Sequence, residues 1–301
     1  MTGRLVSLIA IPLSLIGHVL FWLGSARLLF GARVLAPAEV GDVVAVSAGI
    51  LLIAAAVATV AIGSLGVVVI GGVQILFSLL LFLVPFSVRG GFSPAFEIMN
   101  AVRSAGVEIG DGLYIYVPTG VAFLTGVIML VAGLVARARR RTAPIEVRIG
   151  SGLVGLLAVI GVLLAVGGGA RLYTSLLVMF AGLDPVGLIV LVVGSVLVGA
   201  AVLIGRWTST AALVAGAVTA VVGLVGLASP STLFLASADW PELRRGFEIA
   251  GPSGSLLLAG VLLVVAGLAL RVRGRRDAGR TANDVAEAAE EPPPPTTVPS
   301  V

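Results

Sequence analysis

Pro118-Thr119-Gly120 opens an apolar run that ends Gly133-Leu134-Val135-Ala136-Arg137-Ala138-Arg139. Pro252-Ser253-Gly254 opens another that ends Gly267-Leu268-Ala269-Leu270-Arg271-Val272-Arg273, and the two stretches align without a gap at an offset of 134. A Gly-X-Glu-Ile tetrad precedes each triplet, Gly106 to Ile109 in the first half and Gly246 to Ile249 in the second. Further out, Arg4 aligns with Arg148, and Gly24-Ser25-Ala26-Arg27-Leu28 with Gly168-Gly169-Ala170-Arg171-Leu172, both at an offset of 144. The chain reads as one unit written twice.

Composition says what kind of unit it is. Of 301 residues, 58% are apolar and only 11% charged, against roughly 25% charged in an ordinary soluble domain. The mean hydropathy is +1.16, and several apolar runs approach the ~20 residues that a helix needs to cross a bilayer. This describes an all-α integral membrane protein. The high pI is no nucleic-acid footprint, because the arginines flank the apolar runs. All 19 basic residues are arginine, as expected of a GC-rich bacterial genome, which places the chain in a bacterial plasma membrane as a multi-pass protein.

Eight spans are expected, as two parallel four-helix repeats. In the first half they are 5–24, 43–62, 67–84 and 117–136. In the second, a run following Arg148 is succeeded by 186–204, 211–228 and 253–270. The first run could pass for a signal peptide, but its internal copy cannot be one, so it reads as a retained helix. Proline at 85 and at 230 should end the third and seventh spans. The units are then 1–141 and 142–276, followed by an acidic, proline-rich tail, 277–301, too poor in apolar residues to fold. The polar loops 87–117 and 229–252 should each carry one short interfacial helix. In the first, Phe96, Met99 and Val102 would face lipid; in the second, Asp239 would be the N-cap and Glu242 the third residue of a capping box.

Four is an even number, so both units enter the membrane from the same side. With the N-terminus inside, 12 arginines fall on the inner face and 7 on the outer, leaving net charges of +6 and −2. That asymmetry puts both termini in the cytoplasm.

Chemistry is harder to find. There is no cysteine and one histidine, which excludes disulfides, thiolate nucleophiles and multi-histidine metal sites. No ionisable side chain other than His18 sits well inside a span, although such groups are the usual marks of a coupled carrier. His18 and Gln74 remain, with scattered hydroxyls such as Ser14 and Thr125. Both read better as hydrogen-bonding glue between helices, His18 because its repeat partner, Val162, is apolar. Glycines seven apart (Gly126/Gly133, Gly187/Gly194, Gly216/Gly223, Gly260/Gly267) share a helix face and should admit a close neighbour. At the outer surface the charges Arg27/Arg171, Glu108/Glu248 and Arg103 with Arg244 or Arg245 recur, with Asp42 and Asp184 matching approximately. Arg27 is expected to pair with Glu108 and Arg171 with Glu248, as ties between loops and helix ends rather than a ligand site.

No cofactor or nucleic-acid partner is implied; the partners are the bilayer and other membrane proteins. The role expected is a non-enzymatic accessory or assembly component of the bacterial cell envelope. A permease or channel for a small neutral or weakly charged solute is the alternative, and a lipid-modifying membrane enzyme the third reading. A continuous polar path between the halves would favour the permease, and a dry, glycine-packed contact the accessory protein.

Overall fold

The computed structural model describes residues 2–83, 87–88, 91–92, 94–138, 145–179 and 182–290. Twelve α-helices occupy most of these. The first six are α1 (Thr2–Arg33), α2 (Val40–Ala58), α3 (Leu65–Leu83), α4 (Pro94–Ala105), α5 (Val107–Tyr116) and α6 (Val121–Arg137). The second six are α7 (Ile145–Tyr173), α8 (Pro185–Leu203), α9 (Thr210–Ala228), α10 (Pro230–Ala236), α11 (Pro241–Ala250) and α12 (Ser255–Glu290). A two-residue hairpin pairs β1 (Ser87–Val88) with β2 (Gly91–Phe92). Seven helices are long and apolar enough to cross a membrane, and an eighth span results if the bent pair α5–α6 counts as one. This is a polytopic membrane protein.

Element lengths match across the chain. Helices α2 and α8 are each 19 residues and each runs on into a three-residue 3-10 turn, while α3 and α9 are also 19 residues apiece. Within the first half α1 packs along α2 and α3 along α6; within the second, α7 packs along α8 and α9 along α12. Between them, α6 lies on α8 and α12, and α12 lies on α2. The glycines spaced by seven are where these helices meet. A Cβ at Gly260 would stand 2.3 Å from the Ala220 nitrogen, and one at Gly194 2.4 Å from the Gly161 oxygen. Only hydrogen fits at such separations, so these contacts are backbone on backbone.

The fourth span is broken rather than continuous. Pro118 has no N–H to donate and Gly120 takes a left-handed φ of 73°, so α5 ends and α6 restarts 72° away in direction. The loops also hold more order than their polarity suggests, with two helices in each, α4 and α5 and then α10 and α11. In α4 the apolar face turns inward: Met99 is fully buried and Val102 packs on the core, contrary to the expected lipid contact. Helical periodicity identifies an apolar face but not what covers it. The side chain of Phe96 lies outside the described residues, as do Pro85 and 291–301.

Other boundaries also moved. Helix α1 continues past 24 to Arg33, because Ala26, Leu28 and Leu29 are still buried there. Trp240, not Asp239, is the N-cap of α11, with no side-chain cap bond; Glu242 is drawn instead to an arginine. The seventh span does stop before Pro230, at Ala228 as expected, and the proline opens the short helix α10. Helix α12 extends beyond Arg276 to Glu290, through a segment rich in alanine, the strongest helix former.

Candidate functional site

Two groups of polar side chains stand out, one buried in the first half and one at the end of the bundle where α1 and α7 finish.

The buried group is built from four helices. Helix α1 supplies Ser14, His18 and Trp22, spaced by four and so on one face. Gln74 comes from α3, Tyr116 from the last turn of α5 and Thr125 from one turn into α6. The break between α5 and α6 is what lets Tyr116 and Thr125 converge. His18 Nδ1 lies 2.6 Å from the Ser14 carbonyl oxygen, to which it donates, leaving Nε2 as the acceptor. The Gln74 amide donates to Nε2 at 2.7 Å. The amide oxygen then accepts from Thr125 Oγ1 at 3.1 Å, and Thr125 accepts from the Tyr116 hydroxyl at 2.6 Å. That hydroxyl also lies 3.1 Å from His18 Nε2, which closes the ring of contacts. Edge-on contacts of His18 with Trp22 and Tyr116, at 5.9 and 5.5 Å between ring centroids, enclose it.

Every member of this ring is neutral, and Tyr116 has one proton to share between Thr125 and His18 Nε2, so the ring closes by a contact at Nε2 rather than by a further hydrogen bond. It therefore binds four helices together without burying a net charge. The positions at the same places in the second half, at offsets of 144 for α1, 145 between the starts of α3 and α9, and 134 for α5 and α6, are Ala158, Val162, Thr219, Ala250 and Ala259, so no like ring can form there. Thr219 Oγ1 is buried without a partner among the described residues. Tyr116 was not legible as a member, because it falls at the inner edge of a loop and its histidine lies 98 residues away.

The six expected outer charges do not form one cluster. Arg27 reaches Glu108 at 2.6 Å and Asp42 at 3.5 Å, as its recurrence suggested for Glu108. Arg171 pairs with Asp184 at 2.8 Å and Glu242 at 3.2 Å, not with Glu248. Glu248 instead meets Arg244 at 3.4 Å within α11, and Arg103 meets Asp111 at 3.1 Å. The error was one of register. The gap-free offset of 134 continues back through α5 and α11, so Glu108 corresponds to Glu242; the Gly-X-Glu-Ile likeness lies six residues out of step. Arg27 with Asp42 and Glu108, and Arg171 with Asp184 and Glu242, thus form two three-charge knots of the same arrangement. Each arginine near the end of a first helix bridges a carboxylate at the start of the second helix and one at the start of α5 or α11. Carboxylates at helix starts also answer the positive end of the helix dipole.

Asp184 is the best defended of these carboxylates. It caps α8 by accepting from Val186 N at 3.0 Å. Burial, the largest single influence, pushes its pKa up, yet Arg171 and the backbone N–H groups of Gly187 and Val186 together hold it below the usual carboxylate range. Apart from Asp42 and Asp184, these side chains are a third to a half exposed, and such pairs contribute little net stability each.

The turns that break the spans cross between the halves. Ser25 of α1 donates to the Ser253 carbonyl at 2.7 Å. At the matching place in α7, Gly169 lies so close to the Thr119 carbonyl that a Cβ would stand 1.8 Å from its oxygen. Gly254, with φ of 74°, rests on Val46 of α2 as Gly120 rests on Leu191 of α8. No group of three or more histidine, aspartate or glutamate side chains suited to a metal occurs among the described residues. Comparison with protein-family models, with curated proteins and with solved structures returns no match.

Proposed function

We propose that the chain is a non-enzymatic accessory or assembly component of a bacterial cell membrane, built as two parallel four-helix repeats with both termini in the cytoplasm. The observation that carries this reading is the character of the contact between the halves. The fully enclosed side chains of α6 and α12 include Ile128, Met129, Ala132, Leu258, Leu262 and Ala266. Polar bonds across the contact sit at its ends, Ser25 with Ser253 at one and Arg273 with the Val60 carbonyl at the other. The described cavities lie at the ends as well, two larger ones of about 1000 and 400 Å³ beside Arg33 and one of about 20 Å³ beside Arg206. A solute path would need polar groups along the middle, where these helices present carbon. The hydrogen bonds of the buried ring around His18 run between its own members within one half, with only the Trp22 indole N–H beside it left without a partner among the described residues, which suits a structural tie better than a substrate site. The test is solute flux through the purified protein in liposomes, with permeability no greater than in empty vesicles as the expected result.

The repeat reading is supported by the matched helix lengths, the reciprocal packing and the two equivalent charge knots. It carries an orientation that cysteine labelling checks, since the chain has no native thiol. Single cysteines at Ala138 and Gly274 should be shielded from an impermeant reagent in intact cells, while one at Asn100 should react. Labelling at Ala138 from outside would reverse the assignment.

A further inference from the structure

A cavity of about 1000 Å³ opens at the end of the bundle where three spanning helices finish. Its wall is formed by the last turns of α1, the π-helical turn 174–178 that follows α7, the end of α9, and α10 and α11. The side chains facing it are mainly apolar, among them Leu28, Val178, Leu227, Phe234 and Ile249. At about 1000 Å³ it stands at the upper end of the range usual for ligand sites, roughly 300–1,000 Å³.

The charges around this cavity are unbalanced. Arg27, Arg103, Arg171 and Arg244, at the same end of the bundle, each hold a carboxylate. Arg33 and Arg245, both of which line the cavity, make no ion pair among the described residues. The one carboxylate in the wall, Glu248, is engaged by Arg244, whose guanidinium also stacks 3.6 Å above the Phe234 ring. An apolar trough rimmed by two unanswered guanidinium groups, at the level where the spans end, is complementary to one kind of molecule. Guanidinium binds phosphate through parallel hydrogen bonds, and an acyl chain matches the apolar wall.

We infer that this cavity binds a single anionic phospholipid, its phosphate held by Arg33 and Arg245 and an acyl chain lying along Leu28, Leu227, Phe234 and Ile249. The inference rests on the membrane reading of the chain and not on its proposed accessory role, so it stands or falls separately from the flux result. The occupant is one lipid bound at a fixed place, distinct from the general attraction of basic segments for an anionic surface, which would not need the cavity.

The experiment is thermal melting of the full-length protein in a neutral detergent, with phosphatidylglycerol, phosphatidylcholine or inorganic phosphate added. Phosphatidylglycerol should raise Tm in a saturable way, because a ligand that binds the folded state stabilises it by mass action. Its affinity should exceed that of phosphatidylcholine by about tenfold or more, from the two charge-assisted contacts. Phosphate alone should leave Tm unchanged. The double variant Arg33→Gln/Arg245→Gln should melt as the wild type does without lipid and lose the response to phosphatidylglycerol; Arg103→Gln, off the cavity and already paired, should keep it. Native mass spectrometry from mixed-lipid micelles should retain one phosphatidylglycerol on the wild type and none on the double variant. Equal stabilisation by both lipids, a full response to phosphate, or a retained response in the double variant would each overturn the site.

Discussion

Gly169→Ala is expected to destabilise the bundle more than any other single-methyl addition, while Gly167→Ala, one turn-fraction away, leaves it unchanged or improves it. At Gly169 the added carbon would fall 1.8 Å from the Thr119 carbonyl oxygen, an atom held by the turn that breaks the fourth span. Backbone cannot rotate aside as a side chain can, so α7 must move off the first half. Overpacking of this kind commonly costs about 1–3 kcal/mol, and an obstacle made of backbone argues for the upper part of that range. At Gly167 a Cβ meets nothing within 4 Å, and alanine is better than glycine in a helix by roughly 1 kcal/mol. Gly169→Ser should lie between them. Its hydroxyl could bond to Thr119 as that of Ser25 does to Ser253, offsetting part of the clash. Melting of the three variants in detergent checks the order, and a neutral Gly169→Ala would mean that the halves do not meet as described.

The second large effect concerns the buried ring. His18→Val removes the acceptor of the Gln74 amide, and stranding a buried donor costs about 1–3 kcal/mol in soluble proteins. Interhelical hydrogen bonds in membranes average nearer 0.6 kcal/mol, with a maximum of roughly 1.7, so a loss of about 1 kcal/mol is expected. Gln74→Thr alone should cost less, because Tyr116 lies 3.1 Å from His18 Nε2 and Thr125 lies 2.9 Å from the Val121 carbonyl. Val162 and Thr219 hold these two places in the second half. The pair His18→Val/Gln74→Thr should therefore cost less than the sum of the singles, with a coupling of about 0.5–1 kcal/mol. Strict additivity would show that the ring does not act as a unit.

How far these features could be read beforehand differs from one to another for physical reasons. Glycines seven apart implied a shared face and close neighbours, and Gly194 and Gly260 meet them, because a missing Cβ has few other uses inside a span. The Arg27–Glu108 pair was legible from recurrence, but Glu242 was not. A local likeness around Glu248 was preferred to the constant offset, although backbone geometry follows the offset. The inward face of α4 was misread because amphipathicity is silent about whether protein or lipid covers Met99. Tyr116 was hidden for a different reason: it joins the ring only because Pro118 and Gly120 break the span beside it, and the break itself was not foreseen.

The central claim is that this bundle holds its halves together through a dry contact and passes no solute. The most direct measurement is stopped-flow swelling of liposomes carrying the purified protein, challenged with glycerol and with urea. The account expects swelling rates equal to those of empty vesicles at every protein-to-lipid ratio. A rate that rises in proportion to the protein incorporated would contradict it and make the chain a permease.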